Sequence, residues 1–186
     1  RGMTFFRTSF GIITRTQSVT KTGKLRKPGS ALRRSAYQRC TNEGSYRFAR
    51  KAREHVSHGI LQPKGSLRFE SPKDLWMAAE NMEKRADSQL ARTVEIAIPH
   101  VVPHHLRDQF VKHMLIWLAE DHGFIVEWAR HAADHLFDNG GKTKNDHIHA
   151  LISLRKLGAK GFDRLKDRGF NAQMRKRGGR EMREFI

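Results

Sequence analysis

The 186-residue chain has one cysteine, two tyrosines and five prolines. A lone Cys40 excludes an internal disulfide, and a free thiol fits a reducing, cytoplasmic compartment. Acids are scarce as well: 19 Asp and Glu stand against 36 Lys and Arg, a formal charge of +17. A balance this basic calls for a polyanionic partner, nucleic acid ahead of anionic membrane. Long apolar runs are also missing. None approaches the roughly 18 residues a spanning helix requires, so membrane insertion is not expected. The opening RGMTFFRTSFGIITR is too interrupted by polar residues for a secretory signal. No internal repeat is visible. With 38% hydrophobic residues in periodic groups, the chain is not a disordered one.

What is present divides into elements. Residues 4–14 (TFFRTSFGIIT) are rich in aromatic and β-branched residues and predict a strand. Residues 15–30 are Gly-, Pro-, Ser-, Thr- and Lys-rich and predict a mobile basic loop. A helix is expected from Ser30 to about Cys40, with Ser30 as N-cap. Residues 45–56 (SYRFARKAREHV) read as a very basic helix or loop. The clearest helix begins at SPKDLW: Ser71 caps it, Pro72 takes the first position, and Asp74 suits the positive helix end. Leu75, Ala79, Met82, Ala86 and Leu90 then keep helical spacing and predict one buried face. RTVEIAI (92–98) alternates as a strand. A further helix runs from about Pro103 to Asp121 with a stripe of Leu106, Phe110, Met114, Trp117 and Leu118, and Gly123 ends it. FIVEWARH (124–131) reads as a strand, Asp134 to Asn145 as a polar loop, and HIHALISL as the returning strand. The Arg-rich tail from Asn171 predicts a helix. Strands joined by a loop favour antiparallel pairing, so the expected class is α+β, a central antiparallel β-sheet flanked by helices.

Three groups of residues carry chemistry. His147 and His149 lie two apart in a strand and so share a face. Ile148, with Leu151 nearby, would turn into apolar surroundings. Two imidazoles at this spacing can chelate one divalent ion, and a third ligand would complete an open site. A hairpin would bring either His131 or His135 beside the pair. Asp134, Asp138 and Asp146 read as loop solvation and turn residues. Glu95 interrupts an apolar strand and falls on the face away from Val94, Ile96 and Ile98, where it could orient a ligand or accept a proton. The tyrosines, Tyr37 and Tyr46, lie within RRSAYQRCTNEGSYRFARKAR. A phenol is a competent nucleophile toward phosphate, and the surrounding arginines and lysines would hold DNA phosphates near it.

Four blocks resemble the MobA/MobL-type plasmid relaxases, MOBQ-class members of the HUH endonuclease superfamily. GSALRRSAYQRC resembles the segment holding the family's nucleophilic tyrosine. DLWMAAENMEKRADSQLARTVEIAIP resembles its helix-plus-strand block. GFIVEWARH resembles the strand ending in the first metal histidine, with Glu127 where an Asp is usual. NDHIHALISLRKLGAKGF resembles the N-x-H-x-H block and the arginine-bearing strand end beyond it. The blocks occur in the family's order over nearly the whole chain. The resemblance implies Tyr37 as nucleophile, Glu95 as the acidic residue of the site, and His131, His147 and His149 as ligands of Mg²⁺ or Mn²⁺. His135 also fits the third position when counted back from NDHIH.

It further implies a nicking domain over 1–186, the N-terminal part of a longer protein, with 171–186 the start of a truncated C-terminal helix. The expected activity is strand-specific cleavage of single-stranded DNA at a plasmid origin of transfer, through a 5′-phosphotyrosine that can be religated. Lys24, Arg26, Lys27, Arg33, Arg34, Arg39, Arg47, Arg50, Lys51 and Arg155 are the expected DNA contacts. Single-stranded DNA with an adjacent hairpin, accessory relaxosome proteins and a coupling protein are the implied partners. Two other readings compete. A rolling-circle initiator or single-strand transposase usually carries its tyrosine after the histidine pair, whereas Tyr37 precedes it. A non-enzymatic basic domain would bind DNA in a salt-sensitive way, without metal dependence or a covalent adduct.

Overall fold

The structure is a computed structural model that describes residues 8–16, 18–19, 22–23, 25–26, 28–136 and 142–176. The chain begins with strand β1 (Thr8–Thr14), the ribbon β2 (Ser18–Val19) and β3 (Leu25–Arg26), and helix α1 (Ala31–Gln38). A second ribbon, β4 (Asn42–Glu43) and β5 (Tyr46–Arg47), leads through a 3-10 turn (Ala49–Glu54) into β6 (His55–Leu61). Helix α2 (Pro72–Asn81), β7 (Gln89–Ala97), a 3-10 turn (His104–Leu106) and α3 (Arg107–Glu120) follow. The long strands β8 (Val126–Leu136) and β9 (Lys142–Ile152), the ribbon β10 (Leu157–Gly158) and β11 (Gly161–Phe162), and α4 (Arg168–Lys176) complete the order.

Five strands form one sheet in the order β1-β7-β9-β8-β6, and all its neighbours are antiparallel. The α+β class and the flanking helices are as the sequence predicts. Side chains alternate between the two faces. Val94, Ile96, Ile148, Ala150, Ile152, Val126 and Trp128 form one core with Val111, Met114, Leu115 and Leu118 of α3. The opposite face packs Leu151 and Ala91 against Ala31 of α1 and Leu75, Trp76 and Ala79 of α2. Ile148 therefore turns away from the histidines as expected. Leu151 does not: it shares their face and is buried under the two helices.

The caps follow the sequence. Ser30 accepts from the Arg33 N–H at 3.1 Å, and Ser71 accepts from the Asp74 N–H at 3.1 Å. Gly123, at φ +73°, follows the end of α3, in a conformation glycine adopts without a Cβ clash.

Several expectations are corrected. Helix α2 stops at Asn81, and Leu90 is buried as part of β7. Met82 and Ala86 are exposed, so their helical spacing was coincidental. In α3, Val111 and Leu115 join the core, whereas Leu106 is exposed. The predicted polar loop 134–145 is largely ladder: Asp134 pairs with Lys144 and His135 with Thr143. A two-stranded ribbon satisfies its backbone without apolar side chains, so it leaves no alternation in the sequence. The basic stretch 45–56 holds strand β5, a 3-10 turn and the start of edge strand β6, and the loop 15–30 includes β2 and β3. Asp146 is not a solvated turn residue but 3% exposed.

Candidate functional site

The register of three neighbouring strands assembles the site. His131 on β8 lies directly opposite His147 on β9, and His149 lies opposite both Ala129 on β8 and Glu95 on β7. Directly opposed residues point the same way, so the three imidazoles and the carboxylate share one face. One ring nitrogen from each of His131, His147 and His149 lies within 4.8 Å of the others. Their rings are 4.8–5.6 Å apart, centroid to centroid. His131 and His149 are buried and His147 half-buried. His135 sits four residues beyond His131 on the same strand, about 13 Å along it.

Electrostatics favour neutral rings. Burial pushes the His131 imidazole down to about 4, against the opposing effect of its bond to the Gln38 carbonyl. Burial also lowers His149, although Glu95 pulls the other way. The Gln38 carbonyl can only accept, so His131 Nε2, at 2.6 Å, carries the hydrogen and Nδ1 keeps its lone pair. His149 Nδ1 lies 3.1 Å from Glu95 and 3.0 Å from the Arg34 guanidinium. That nitrogen either donates to Glu95 or accepts from Arg34; the first leaves Nε2 with its lone pair. The His149 bond, then Arg34 at 2.7 Å, holds the Glu95 carboxyl at about 2. Three clustered imidazoles, two of them buried, fit a divalent cation. An ionised carboxylate on a ligand's second nitrogen is a common outer partner of such sites.

Helix α1 lies over these histidines and brings Tyr37. The Tyr37 ring is edge-on to His149 at 6.3 Å, with the Arg34 guanidinium 5.4 Å from its centroid. Lys51 Nζ donates to the Tyr37 hydroxyl at 3.2 Å, and that bond raises the Lys51 pKa. The helix is fastened from below. Glu127, fully buried on β8, accepts from the Ser35 hydroxyl at 3.0 Å and from Trp76 Nε1, and pairs with Arg39 Nε at 3.0 Å. Burial raises the Glu127 pKa, against the pull of Ser35 and Arg39. The sequence hinted at this anchor, since FIVEWA sets one carboxylate in an apolar run. Gln38, whose backbone meets His131, carried no such signal.

The expected DNA contacts separate. Arg47, Arg50 and Lys51 are exposed, Lys51 beside Tyr37, and Arg33 is half-buried on α1. Arg34 is committed to Glu95. Arg39 is turned inward onto Glu127 and Glu43. Arg155 is tied to Glu83 at 3.0 Å and to the Asp163 carbonyl at 3.1 Å. Lys24 and Lys27 lie outside the described residues, and Arg26 is placed only as part of β3. Cys40 is a buried free thiol whose pKa burial raises, which disfavours the thiolate. Sequence reasoning missed His55, opposite His131 in the β6–β8 register with rings 6.0 Å apart. It also missed the reverse-side cluster. There Arg130 donates twice to Asp146, at 2.8 Å each, and Arg107 donates to Asp146 at 2.7 Å.

The class is an antiparallel α+β sandwich whose central strands carry a three-histidine cluster that could hold a metal ion, with a phenol on the covering helix. The particular family follows from comparison: the chain belongs to the MobA/MobL family, whose profile matches residues 29–184. The resemblance carried by the four sequence blocks is thus borne out. The chain is 28% identical over 153 residues to a probable conjugal transfer protein TraA of Sinorhizobium fredii, covering 74% of this chain. It is 29% identical over 153 residues to the conjugal transfer protein TraA of Agrobacterium fabrum, covering 71%. Those alignments take in 13% of each relative's length. A solved structure from work on the molecular basis of vancomycin resistance transfer in Staphylococcus aureus shares the fold, with a TM-score of 0.67 and 20% identity. It is matched over 92% of this chain and 87% of that one. Among the described residues no helix is long and apolar enough to cross a membrane.

Proposed function

We propose that this chain is the DNA-nicking domain of a conjugative relaxase, cutting one strand at an origin of transfer by tyrosine transesterification. The observation that carries this reading is the Tyr37 ring 6.3 Å from His149, within a cluster of three imidazoles whose nitrogens lie within 4.8 Å. The Tyr37 oxygen attacks the scissile phosphorus. The tyrosyl O–P bond forms, the bond to the 3′ oxygen breaks, and the strand leaves as a 3′-hydroxyl. The phosphodiester is exchanged, not hydrolysed, so the reverse reaction rejoins the ends. Lys51 donates to the phenol oxygen and offsets the negative charge that forms there as the proton leaves. Glu127 and Gln38 keep the helix, and with it Tyr37, over the sheet. His131, His147 and His149 would hold Mg²⁺ or Mn²⁺, and Glu95 would orient His149. Such an ion would supply Lewis-acid stabilisation of the phosphate's developing charge.

As part of a longer protein, the domain would work with accessory origin-binding proteins and a coupling protein on a cytoplasmic plasmid. The test mixes protein, Mn²⁺ and a labelled single strand spanning the cognate origin. Wild type gives a protein-linked fragment, joined through its 5′ phosphate, that survives denaturation, and Tyr37→Phe gives none. Equal product from both, or product insensitive to a chelator, sinks the proposal.

A further inference from the structure

Two aromatic rings beside Tyr37 belong to neither hydrophobic core. Tyr46 and Phe48, both half-buried, lie at the end of the β4–β5 ribbon. Their planes are 19° apart with centroids separated by 6.5 Å. Phe48 also meets Tyr37 edge-on, at 5.3 Å and 88°. The three rings thus form a row leading outward from the phenol. The row is held in place. The Asn42 side-chain oxygen accepts the Phe48 N–H at 3.1 Å and the Ala49 N–H at 3.3 Å, and Gly44 turns the ribbon at φ +55°. Phe48 alone suffices to buttress Tyr37. Tyr46 extends the row one ring further, and among the described residues it stacks on no ring except Phe48. Exposed Arg47 follows it in the ribbon and donates to its carbonyl at 3.0 Å, and exposed Lys51 stands at the Tyr37 end of the row.

We infer that Tyr46 and Phe48 form a stacking step for an unpaired nucleobase next to the phosphate that Tyr37 attacks. The inference rests on the single-strand nicking reading and names how the strand is held. Every base presents a π-face, so the step tolerates any base. A base paired in a duplex has its faces covered by its neighbours, so the step selects single strands. The flanking cations hold phosphates and set the salt dependence.

Fluorescence anisotropy with two probes tests this: an oligothymidylate and a fully abasic strand, each of about 15 nucleotides, the upper end of the site sizes known for single-strand binders. Wild type should bind the oligothymidylate at least roughly tenfold tighter than the abasic strand. Tyr46→Ala should remove most of that preference and leave abasic binding unchanged. Tyr46→Phe should restore it, and Tyr46→Leu, which keeps the apolar bulk, should not. Arg47→Ala should weaken both probes alike and lower the salt slope by about one. A preference unchanged in Tyr46→Ala and Tyr46→Leu, with unchanged melting curves, overturns the stacking step. Equal binding of both probes by wild type overturns it as well, and leaves the nicking reading standing. If wild type binds neither probe, the stacking step falls, and the nicking reading is decided by the cleavage test on the cognate strand.

Discussion

Strands β8 and β9 carry two quite different chemistries on their two faces. Toward α1 and α2 they present His131, His147 and His149, three rings clustered with an exposed carboxylate and a phenol. One residue away, toward α3, Arg130 and Asp146 form a buried ion pair. Arg130 also meets Asp108 at 2.7 Å, and Ser57 donates to Asp108 at 2.8 Å, so β6 and α3 are tied in. The pair lies directly behind His131 and His147 in sequence. The contrast separates two demands. At the front, the bond to the Gln38 carbonyl takes His131 Nε2 and leaves Nδ1 with its lone pair. The back commits nearly every polar atom, and so fixes where the front residues stand.

That division can be broken deliberately. The largest effect expected is functional: His147→Ala with His149→Ala abolishes the protein-linked DNA product while lowering unfolding free energy by about 1 kcal/mol, as befits hydrogen bonds lost at the edge of the site. Arg130→Ala should do the reverse. It leaves Asp146 buried with only Arg107, at a cost of about 3–5 kcal/mol in urea denaturation. Replacing both partners, Arg130→Met with Asp146→Leu, should recover much of that stability. If the double replacement is as unstable as the single, the back is not an ion-pair clamp. Glu95→Gln should weaken Mn²⁺ binding roughly tenfold by calorimetry, the usual scale for an outer-sphere partner of a ligating histidine. An unchanged affinity would assign Glu95 to holding Arg34 alone.

The smallest effect separates the faces by pH. His131 titrates near 6.5 when unfolded and at about 4 when folded. The unfolded chain therefore binds more protons in between, and the metal-free protein loses stability as pH falls from about 6.5 to about 4. Burial raises the Asp146 pKa, but Arg130 and Arg107 outweigh it and hold the carboxyl below 3.8. The contribution of Asp146 is thus present above that value and lost only below it. His131→Gln should flatten the upper part of the pH–stability curve and leave the lower part intact.

The sequence made the front legible. Period-two spacing put His147 and His149 on one face, the interruption of TVEIAI marked Glu95, and Ser30 announced the helix that bears Tyr37. It also brought the third ligand down to two candidates. The register of the β8–β9 hairpin, which sets His131 opposite His147, could not be read from the sequence. The back was illegible for the same reason: Arg130 and Asp146 look like surface residues until register buries them together. The edge strand β6 was hidden too. An edge strand has one neighbour to satisfy, and HVSHGIL mixes polar and apolar residues accordingly.

The bond from His131 to the Gln38 carbonyl joins a ring of the cation cluster to the residue next to Tyr37. The seating of α1 and the occupancy of the cluster are therefore not independent variables. A cation that binds more tightly when the helix is down must, by reciprocity, hold the helix down by the same factor. On the nicking reading, one equilibrium would thus both report a loaded site and bring Tyr37 into line.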